Sequence, residues 1–451
     1  MNVLQLIGNT PLVKLKDIDT GCCELFLKLE SQNPGGSIKD RIAMTMIKDA
    51  EDKGLLKPGG TIVEATAGNT GLGLALVAGQ KGYKIILVIF DKVTREKIQQ
   101  LQALGAEVVL TRTDVPKGHP DHYQDKAASI AASIPGAWYV NQFANEANPL
   151  AHELTTGPEI WSQMDEKLDA VVCGVGSGGT ITGLGRYFKK VAPSVEMILA
   201  DPVGSILAHY AKTGEIKETA GQWLVEGIGD DFIPPVADFS LISKTYSIPD
   251  KESIDIIREV LKTNAIMGGS SSGTLIAAAL RYCREQKTPK RVVTFICDSG
   301  QRYISKMYNN TWLHENGLLN RDQFGDLRDL ISRLHSAKDA IVIGPTESIQ
   351  SAYARMKAYD VSQLPVVDGE KIVGILDESD LLMAIYKDSS KFKAPVSEVM
   401  SSNLEIIDPK DKVEKLIPLF EKGMVALIAD NTRFYGIVTK MDLLLHLRRS
   451  L

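Results

Sequence analysis

The chain has few cysteines, and the five that it has are scattered along its 451 residues. None of them forms a CxxC pair or another spacing typical of a metal site. His119 and His122 are close together, but no further ligand follows at a suitable spacing. An odd number of dispersed thiols argues against a disulfide framework and indicates a reducing compartment. We therefore expect a cytoplasmic protein without a bound metal.

Long apolar runs and an excess of basic residues are also missing. No stretch approaches the run of about 18 apolar residues that a membrane helix needs, and the first residues do not have the form of a signal peptide. The formal charge is −5, which gives no reason to expect a membrane surface or nucleic acid as a partner. With 44% hydrophobic and 24% charged residues, the composition is that of a globular protein of two or three domains.

Short apolar runs alternate with helical patterns from about residue 60 to about residue 300. This alternation predicts an α/β fold in which a parallel sheet carries helices on both faces. Ligands of such sheets bind beyond the carboxyl ends of the strands. The predicted strands are 61–64, 84–89, 107–110, 170–173, 196–200 and 291–297.

The C-terminal part contains an internal repeat. VGILDESDLL at 373–382 matches YGIVTKMDLL at 435–444, at an offset of 62 residues. Each unit has the pattern of a helix, two short strands and a helix, which cannot bury its sheet alone, so the two units should pair. We expect a first domain at 1–313, a linker at 314–326 and a paired module at 327–451, with repeats at about 338–388 and 395–451.

Lys39 follows two glycines in NPGGSIKDR. The pattern predicts that Ser37 is the N-cap of a helix whose apolar face is Ile42, Met46 and Ala50. An amine at the positive end of a helix has a lowered pKa, and a neutral lysine can form a Schiff base with a carbonyl. The alternative is an ordinary solvated lysine on a helix surface.

Two glycine-rich loops each follow an apolar run and open a helix. In EATAGNTG at 64–71, backbone N–H groups of residues 67–70 and the hydroxyls of Thr66 and Thr70 would hold a substrate carboxylate. VVCGVGSGGTITG at 171–183 has the form of a phosphate-binding loop. Its glycines also match GxGxxG with Asp201 farther along, so both NAD and a monophosphate cofactor remain open, with a slight preference for the monophosphate.

A third turn, GGSSSGT at 268–274, places Ser270 before a helix, where the alternative is a plain N-cap. Together with Lys39 and the two loops, it completes the parts needed to hold pyridoxal phosphate. Asn69 would contact the ring 3-oxygen, and Ser270 would face the ring nitrogen. A neutral hydroxyl there makes the ring a weaker electron sink, which favours loss of a β-substituent to an aminoacrylate over transamination.

Residues 4 to about 313 resemble the fold-type II pyridoxal-phosphate enzymes, the family of cysteine synthase and cystathionine β-synthase. The segments that carry the resemblance are IGNTPLVKL, NPGGSIKDR, TAGNTG, GSGGT, VEGIGDDFIP and GGSSSG. The resemblance implies two doubly wound parallel-sheet subdomains, with Lys39 as the Schiff-base lysine. It implies that the cofactor ring is contacted by Asn69 and Ser270. The phosphate would be contacted by residues of the second glycine-rich loop: Gly176, Ser177, Gly178, Gly179 and Thr180. The substrate would be contacted by Thr66, Ala67, Asn69, Thr70, Gln142, Gly227 and Asp230.

Three features resemble the cystathionine β-synthases within this family: DPVGS at 201–205, VEGIGDDFIP at 225–234, and a C-terminal repeat similar to their paired regulatory CBS domains. The chain also departs from the family pattern. Ala67 stands where a serine is usual, and Asp230 replaces a tyrosine near the substrate, which bears on the choice of thiol. The haem-binding extension of the animal enzymes is absent, so we expect no haem.

The resemblance implies a β-replacement in which homocysteine displaces the hydroxyl of serine and gives cystathionine, with release of hydrogen sulfide as a further activity. One alternative is a cysteine synthase that uses O-acetylserine and sulfide. Another, of a different class, is an adenosyl-ligand sensor without catalysis. The family also implies a homodimer or a larger homo-oligomer.

The repeat module of this type often binds adenosyl ligands. Thr439 and Asp442 match a Thr-x-x-Asp pattern that places a carboxylate on ribose hydroxyls, whereas the first repeat has Asp377 in place of the hydroxyl residue. We expect at most one well-formed site, on the second repeat, for S-adenosylmethionine or an adenine nucleotide. The alternative is a purely structural dimerisation module.

Overall fold

The computed structural model describes residues 2–66, 68–91, 93, 95–216, 219–320, 323–335 and 339–450. The chain divides into two compact units, Met1–Tyr308 and Asn309–Leu451. Of the helices within the described residues, none combines the length and the apolar character that a membrane crossing requires.

Two sheets form the framework of the first unit. Their strands are β1 (Leu12–Lys14), β2 (Glu24–Leu29), β3 (Thr61–Ala65), β4 (Lys84–Phe90), β5 (Glu107–Thr111), β6 (Trp138–Tyr139), β7 (Ala170–Cys173), β8 (Glu196–Pro202), β9 (Lys244–Ile248) and β10 (Arg291–Ile296). In the described part of the chain, the larger sheet has the order β1-β2-β10-β7-β8-β9, and β1 alone is antiparallel to its neighbour. The smaller sheet, β5-β4-β3-β6, is parallel throughout.

The smaller sheet is buried on both faces, as its continuous apolar runs predict. Ile85, Leu87 and Ile89 of β4 join the core formed with α1 and α2, whereas Ile86 and Val88 pack against α4. The helices of this unit are α1 (Lys39–Asp52), α2 (Asn69–Lys81), α3 (Arg95–Ala103), α4 (Tyr123–Ser133), α5 (Ala147–Ala151), α6 (Gly157–Gln163), α7 (Gly179–Val191), α8 (Leu207–Thr213), α9 (Asp250–Asn264) and α10 (Ser270–Glu285). The predicted α/β class and its parallel sheets are confirmed.

The second unit contains the two repeats. Its elements are α11 (Asn310–Glu315), α12 (Ile349–Tyr359), β11 (Gln363–Asp368), β12 (Lys371–Asp377), α13 (Glu378–Lys387), β13 (Ile406–Ile407), α14 (Ile417–Glu421), β14 (Ala426–Ala429), β15 (Phe434–Val438) and α15 (Lys440–Ser450). Val367 of the first repeat shares a buried cluster with Leu427, Ala429 and Phe434 of the second. The repeats therefore bury their sheets against each other, as their small size requires.

Three strands of the first unit end near the chemically important segments. β3 leads into the loop before α2, β7 leads into the glycine-rich loop before α7, and β10 leads into Cys297 and Asp298. Ser37 and Asp298 form an isolated β-bridge, and so do Gly268 and Ser299. These bridges bring the NPGG turn and the start of α10 to the end of β10.

Candidate active site

Lys39 is the first residue of α1. The predicted N-cap is wrong, because Ile38 occupies that position and Ser37 instead accepts a hydrogen bond on its hydroxyl from the Lys39 N–H at 3.2 Å. The pKa of the Lys39 amine lies below its usual range. Burial is the largest cause, and Cys297 and Asp298 oppose it. The lowering is therefore present, but burial rather than the field at the helix end is its main source.

The glycine-rich loop after β7 is packed tightly from behind. Gly178 adopts a left-handed conformation with φ of 88° just before α7. A Cβ at Gly176 would lie 2.5 Å from the carbonyl oxygen of Gly227. A Cβ at Gly179 would lie only 1.8 Å from Oδ1 of Asn148. Glycine is required at both positions because protein atoms fill the space that a side chain would take.

The same loop presents a row of backbone donors. Within the described residues, no group accepts a hydrogen bond from the backbone N–H groups of residues 176–180. Such unpaired amides, running from a loop into the first turn of a helix, form a site for an anion. The loop therefore has the donors that a phosphate group requires.

Asn69 begins α2, and both ends of its side-chain amide are held. Nδ2 donates to Oδ2 of Asp298 at 2.8 Å, and Oδ1 accepts from Arg302. Burial raises the pKa of the Asp298 carboxyl, to which Tyr303 donates a further hydrogen bond at 2.6 Å. The second N–H of Asn69 has no acceptor among the residues described, which leaves it available to a ligand.

Ser270 is the first residue of α10. Gly269 is the N-cap, so the reading of Ser270 as a plain N-cap is wrong. Its hydroxyl oxygen accepts a hydrogen bond from the Glu226 N–H at 3.0 Å, which leaves the hydroxyl proton for another partner. The Glu226 carboxylate is itself paired with Lys97 and Lys306, each at 2.5 Å.

The loop after β3 contains residues predicted to hold a carboxylate. The Thr70 hydroxyl donates to Oε1 of Gln142 at 2.7 Å, so a residue 72 positions along the chain joins this loop as predicted. The Thr66 hydroxyl accepts from the Gly68 N–H at 3.2 Å. Thr66, Thr70 and Gln142 are all buried. Ala67 lies outside the described residues.

Asp230 lies in a segment that runs beside the glycine-rich loop. Gly227 has a φ of 86°, which favours glycine there. Burial, followed by the charges of Asp231 and Asp201, raises the pKa of the Asp230 carboxyl to about 8. Ser205 holds the Asp230 backbone by accepting its N–H at 3.1 Å and donating to its carbonyl at 3.2 Å. The two family-like segments at 201–205 and 225–234 therefore support each other.

Three buried polar residues around the site were not predicted. Burial raises the pKa of Glu64, on β3, to about 8. His152 lies 3.2 Å from the Thr180 hydroxyl, and burial is the main reason that its pKa is well below the usual range, so its ring is neutral. Asn148 donates to the Ser177 hydroxyl at 2.9 Å. Glu64 interrupts an apolar strand, and this is the one signal from which a sequence reading could have identified it.

The predicted regulatory residues lie in the second unit. The Asp442 carboxylate accepts from the Thr439 N–H at 2.7 Å, from the Thr439 hydroxyl at 2.6 Å and from the Ser332 hydroxyl. Asp442 and Ser332 line a cavity of about 820 Å³. In the first repeat, Asp377 and Asp380 instead cap α13 reciprocally, each accepting the backbone N–H of the other.

Among the described residues, no group of three or more His, Cys, Asp or Glu side chains is arranged to hold a metal ion.

The fold and this site define the class of protein. Residues 3–298 match the family model for "Pyridoxal-phosphate dependent enzyme", and residues 327–387 and 396–449 match the CBS domain. A crystal structure of a hydrogen sulfide-producing enzyme from Fusobacterium nucleatum is similar over 67% of this chain and 99% of that chain, with a TM-score of 0.62 and 37% identity.

Relatives that match along the full length narrow the class further. A cystathionine beta-synthase of Dictyostelium discoideum is 36% identical over 463 residues, which cover 100% of this chain and 92% of the relative. Cysteine synthase 1 of Emericella nidulans is 41% identical, but over 70% of this chain. The chain therefore belongs to the cystathionine beta-synthase family of pyridoxal-phosphate dependent lyases.

The residues present fit the cofactor of this family. A phosphate requires several donors, and the amides of residues 176–180 are unpaired within the described chain. An aldehyde requires a neutral amine, and the pKa of Lys39 is lowered. A pyridine nitrogen requires a single weak donor, and Ser270 retains its hydroxyl proton.

Proposed function

We propose that the first unit replaces the β-hydroxyl of serine with the thiol of homocysteine, giving cystathionine and water. The observation that carries this proposal is Lys39, half-buried at the start of α1 with a lowered pKa, in a chain that resembles cystathionine beta-synthases over its whole length. Lys39 would hold pyridoxal phosphate covalently until the amine of serine displaces it, and the cofactor, once joined to the substrate, would withdraw electrons from Cα. The phosphate would rest on the amides of residues 176–180, and Asn69 and Ser270 would contact the ring.

Lys39 moves the protons at Cα. Its neutral amine removes the Cα proton of serine and delivers it to the departing hydroxyl, so that water leaves. The amine is neutral again once water has left, so the proton that it returns to Cα after the carbon–sulfur bond has formed is the one given up by the incoming thiol. The substrate carboxylate is held during these proton transfers, which keeps Cα within reach of the Lys39 amine. The residues that hold it are Thr66, Ala67, Asn69, Thr70 and Gln142.

Asp230 acts on the second substrate. A carboxyl with a pKa of about 8 is largely protonated at pH 7 and becomes a base as the pH rises toward 8, where it is matched to a thiol, whose ordinary pKa is about 8.5. The thiolate is the stronger nucleophile and attacks Cβ. Gly227, with its positive φ, turns the backbone so that Asp230 is held beside the glycine-rich loop.

We expect cystathionine to form from serine and homocysteine at least about tenfold faster than cysteine forms from O-acetylserine and sulfide. Steady-state kinetics with both substrate pairs measures this ratio.

Asp230→Asn should lower kcat/KM for homocysteine about a hundredfold, because an amide cannot take the thiol proton. Asp255→Asn, at an exposed position of α9 where the carboxylate pairs with Lys251, is the control and should retain the wild-type value. A higher rate with O-acetylserine and sulfide would instead identify a cysteine synthase, which the 41% identity of the catalytic unit to such an enzyme favours as the second candidate.

The second unit binds an adenosyl ligand in the cavity beside Asp442. Its volume of about 820 Å³ is within the range of small-molecule sites. A carboxylate offers about four lone-pair sites, and the N–H and hydroxyl of Thr439 and the hydroxyl of Ser332 use three of those of Asp442, which leaves one on Oδ1 for a ribose hydroxyl. The first repeat has the equivalent carboxylate in Asp380, but Asp377 stands where the second repeat has the hydroxyl of Thr439, and the two aspartates cap α13 reciprocally.

We expect S-adenosylmethionine or AMP, titrated separately, to raise the melting temperature by about 3 °C or more and to change the turnover rate. Asp442→Asn should abolish both responses, whereas Asp380→Asn in the first repeat should retain them. Differential scanning fluorimetry and the cystathionine assay provide the two measurements. No response to either ligand would leave the module as a structural dimerisation element.

A further inference from the structure

Asn148, on α5, connects two loops of the site that are far apart in the sequence. Its side-chain Nδ2 donates one hydrogen bond to the carbonyl oxygen of Gln142 and one to the hydroxyl of Ser177, both at 2.9 Å. Ser177 belongs to the glycine-rich loop at 176–180. A single amide group therefore uses both of its protons to join the Gln142 segment to that loop.

The connection continues to the second loop. Oε1 of Gln142 accepts from the Thr70 hydroxyl at 2.7 Å, and Thr70 lies in the loop at 66–70. A continuous hydrogen-bonded path thus runs from Ser177 through Asn148 and Gln142 to Thr70. The exposed fractions of these four residues are 7%, 1%, 6% and 3%, so water does not compete for the path.

One side-chain atom of Asn148 is in an unfavourable environment. Its Oδ1 is buried without a donor among the described residues, and a buried unpaired carbonyl oxygen is unfavourable. The same oxygen occupies the space beside Gly179 that a Cβ would need. A smaller apolar residue at 148 would remove the unpaired oxygen, so the presence of asparagine points to the two bonds that Nδ2 makes.

The Gln142 end of the path is anchored to β3. The Val140 N–H donates to the carbonyl oxygen of Val63 on β3 at 3.0 Å, two residues before Gln142. Asn141 has a φ of 48°, a conformation that an asparagine tolerates better than most residues. The backbone of Gln142 is therefore held in place. A shift of the loop at 176–180 should consequently displace the loop at 66–70, and the reverse, instead of being taken up by movement of Gln142.

We propose that Asn148 is a positioning residue that couples the carboxylate loop at 66–70 to the phosphate loop at 176–180, so that a carboxylate on one and a phosphate on the other strengthen each other's binding. This inference depends on the roles given to the two loops in the proposed function. Coupling of this kind is reciprocal, because both ligands favour the same arrangement of the path.

The test measures the affinity of the full-length apoprotein for pyridoxal phosphate with and without saturating propionate, which has a carboxylate but no amine to react with the aldehyde. In the wild-type protein, propionate should raise this affinity about fivefold. In Asn148→Ala the factor should fall to about one. Ser177→Ala breaks the other end of the same bond and should have the same effect, which guards against a folding defect of the first variant. Cofactor absorbance gives the affinity in each case.

Asn264→Ala is the control. Asn264 is the last residue of α9, donates to the Lys16 carbonyl oxygen at 2.9 Å and is hydrogen-bonded to neither loop within the described chain, so its variant should keep the wild-type factor. An unchanged factor in Asn148→Ala would overturn the inference, and so would wild-type protein that binds propionate with no change in cofactor affinity. If propionate fails to raise the wild-type melting temperature at all, the role given to the carboxylate loop is wrong and the inference falls with it. Cystathionine formation, measured separately, tests the proposed reaction whatever the coupling shows.

Discussion

Lys39→Ala should lower the turnover of serine and homocysteine by at least about a thousandfold and remove the visible absorbance of the bound cofactor. One side chain supplies both the covalent attachment and the proton transfer at Cα, and no methyl group can do either. The assays are steady-state kinetics, the absorption spectrum of the purified protein, and borohydride reduction followed by peptide mapping. In the wild-type protein, the label should be found on residue 39.

Lys48→Ala is the matched control for this prediction. Lys48 lies on the same helix, is exposed, and forms an ion pair with Asp52 at 2.7 Å. Its replacement should leave the spectrum unchanged and the rate within about twofold. A Lys39→Ala protein that retained a tenth of the wild-type rate would contradict the proposed mechanism.

Arg41→Met should destabilise the first unit by about 3–5 kcal/mol. Arg41 Nε lies 2.7 Å from Glu30 Oε2, and the exposed fractions of the two side chains are 1% and 0%. Its guanidinium also pairs with Glu159 at 2.7 Å. Methionine fills the space but leaves Glu30 buried without this cation, and a buried unpaired carboxylate is costly. Denaturant unfolding followed by tryptophan fluorescence gives the change in the free energy of unfolding.

Arg281→Met provides the comparison for the buried pair. The ion pair between Arg281 and Glu252 is substantially exposed, with fractions of 39% and 36%. Water screens such a pair, so its loss should change the free energy of unfolding by about 1 kcal/mol or less. Equal losses in the two variants would show that burial does not govern the contribution of the Arg41 pair.

The parallel strands of the first unit could be predicted because burial on both faces produces continuous apolar runs. The strand at 170–173 has the predicted bounds, and those at β3, β4, β5, β8 and β10 differ by one or two residues. β2 precedes the first predicted strand and was not predicted, and Lys28 interrupts its apolar run. Lys28 is buried through a salt bridge to Glu159 at 3.0 Å and a hydrogen bond to the carbonyl oxygen of Thr10 at 2.7 Å. Those partners come from other parts of the chain, so the local pattern carries no sign of them.

The site shows the same division between local and distant information. The loops that open α2, α7 and α10 could be predicted, because a glycine-rich turn between a strand and a helix is a local signal. The groups that hold these loops could not. Asp298 is 229 residues from Asn69, and Ser177 is 29 residues from Asn148. Burial, the main cause of the lowered pKa of Lys39, is likewise a property of the folded chain.

The close packing behind Gly176 and Gly179 has a consequence for how this lineage changes over time. Neighbouring protein atoms are enough to require both glycines, whether or not a ligand is bound. In a descendant that had become a pseudoenzyme, selection for folding alone would preserve the glycine motif, while nothing comparable would preserve an amine at residue 39. The glycine motif would therefore persist after catalytic activity had been lost. The lysine at position 39 is the better indicator that a related protein is an active enzyme.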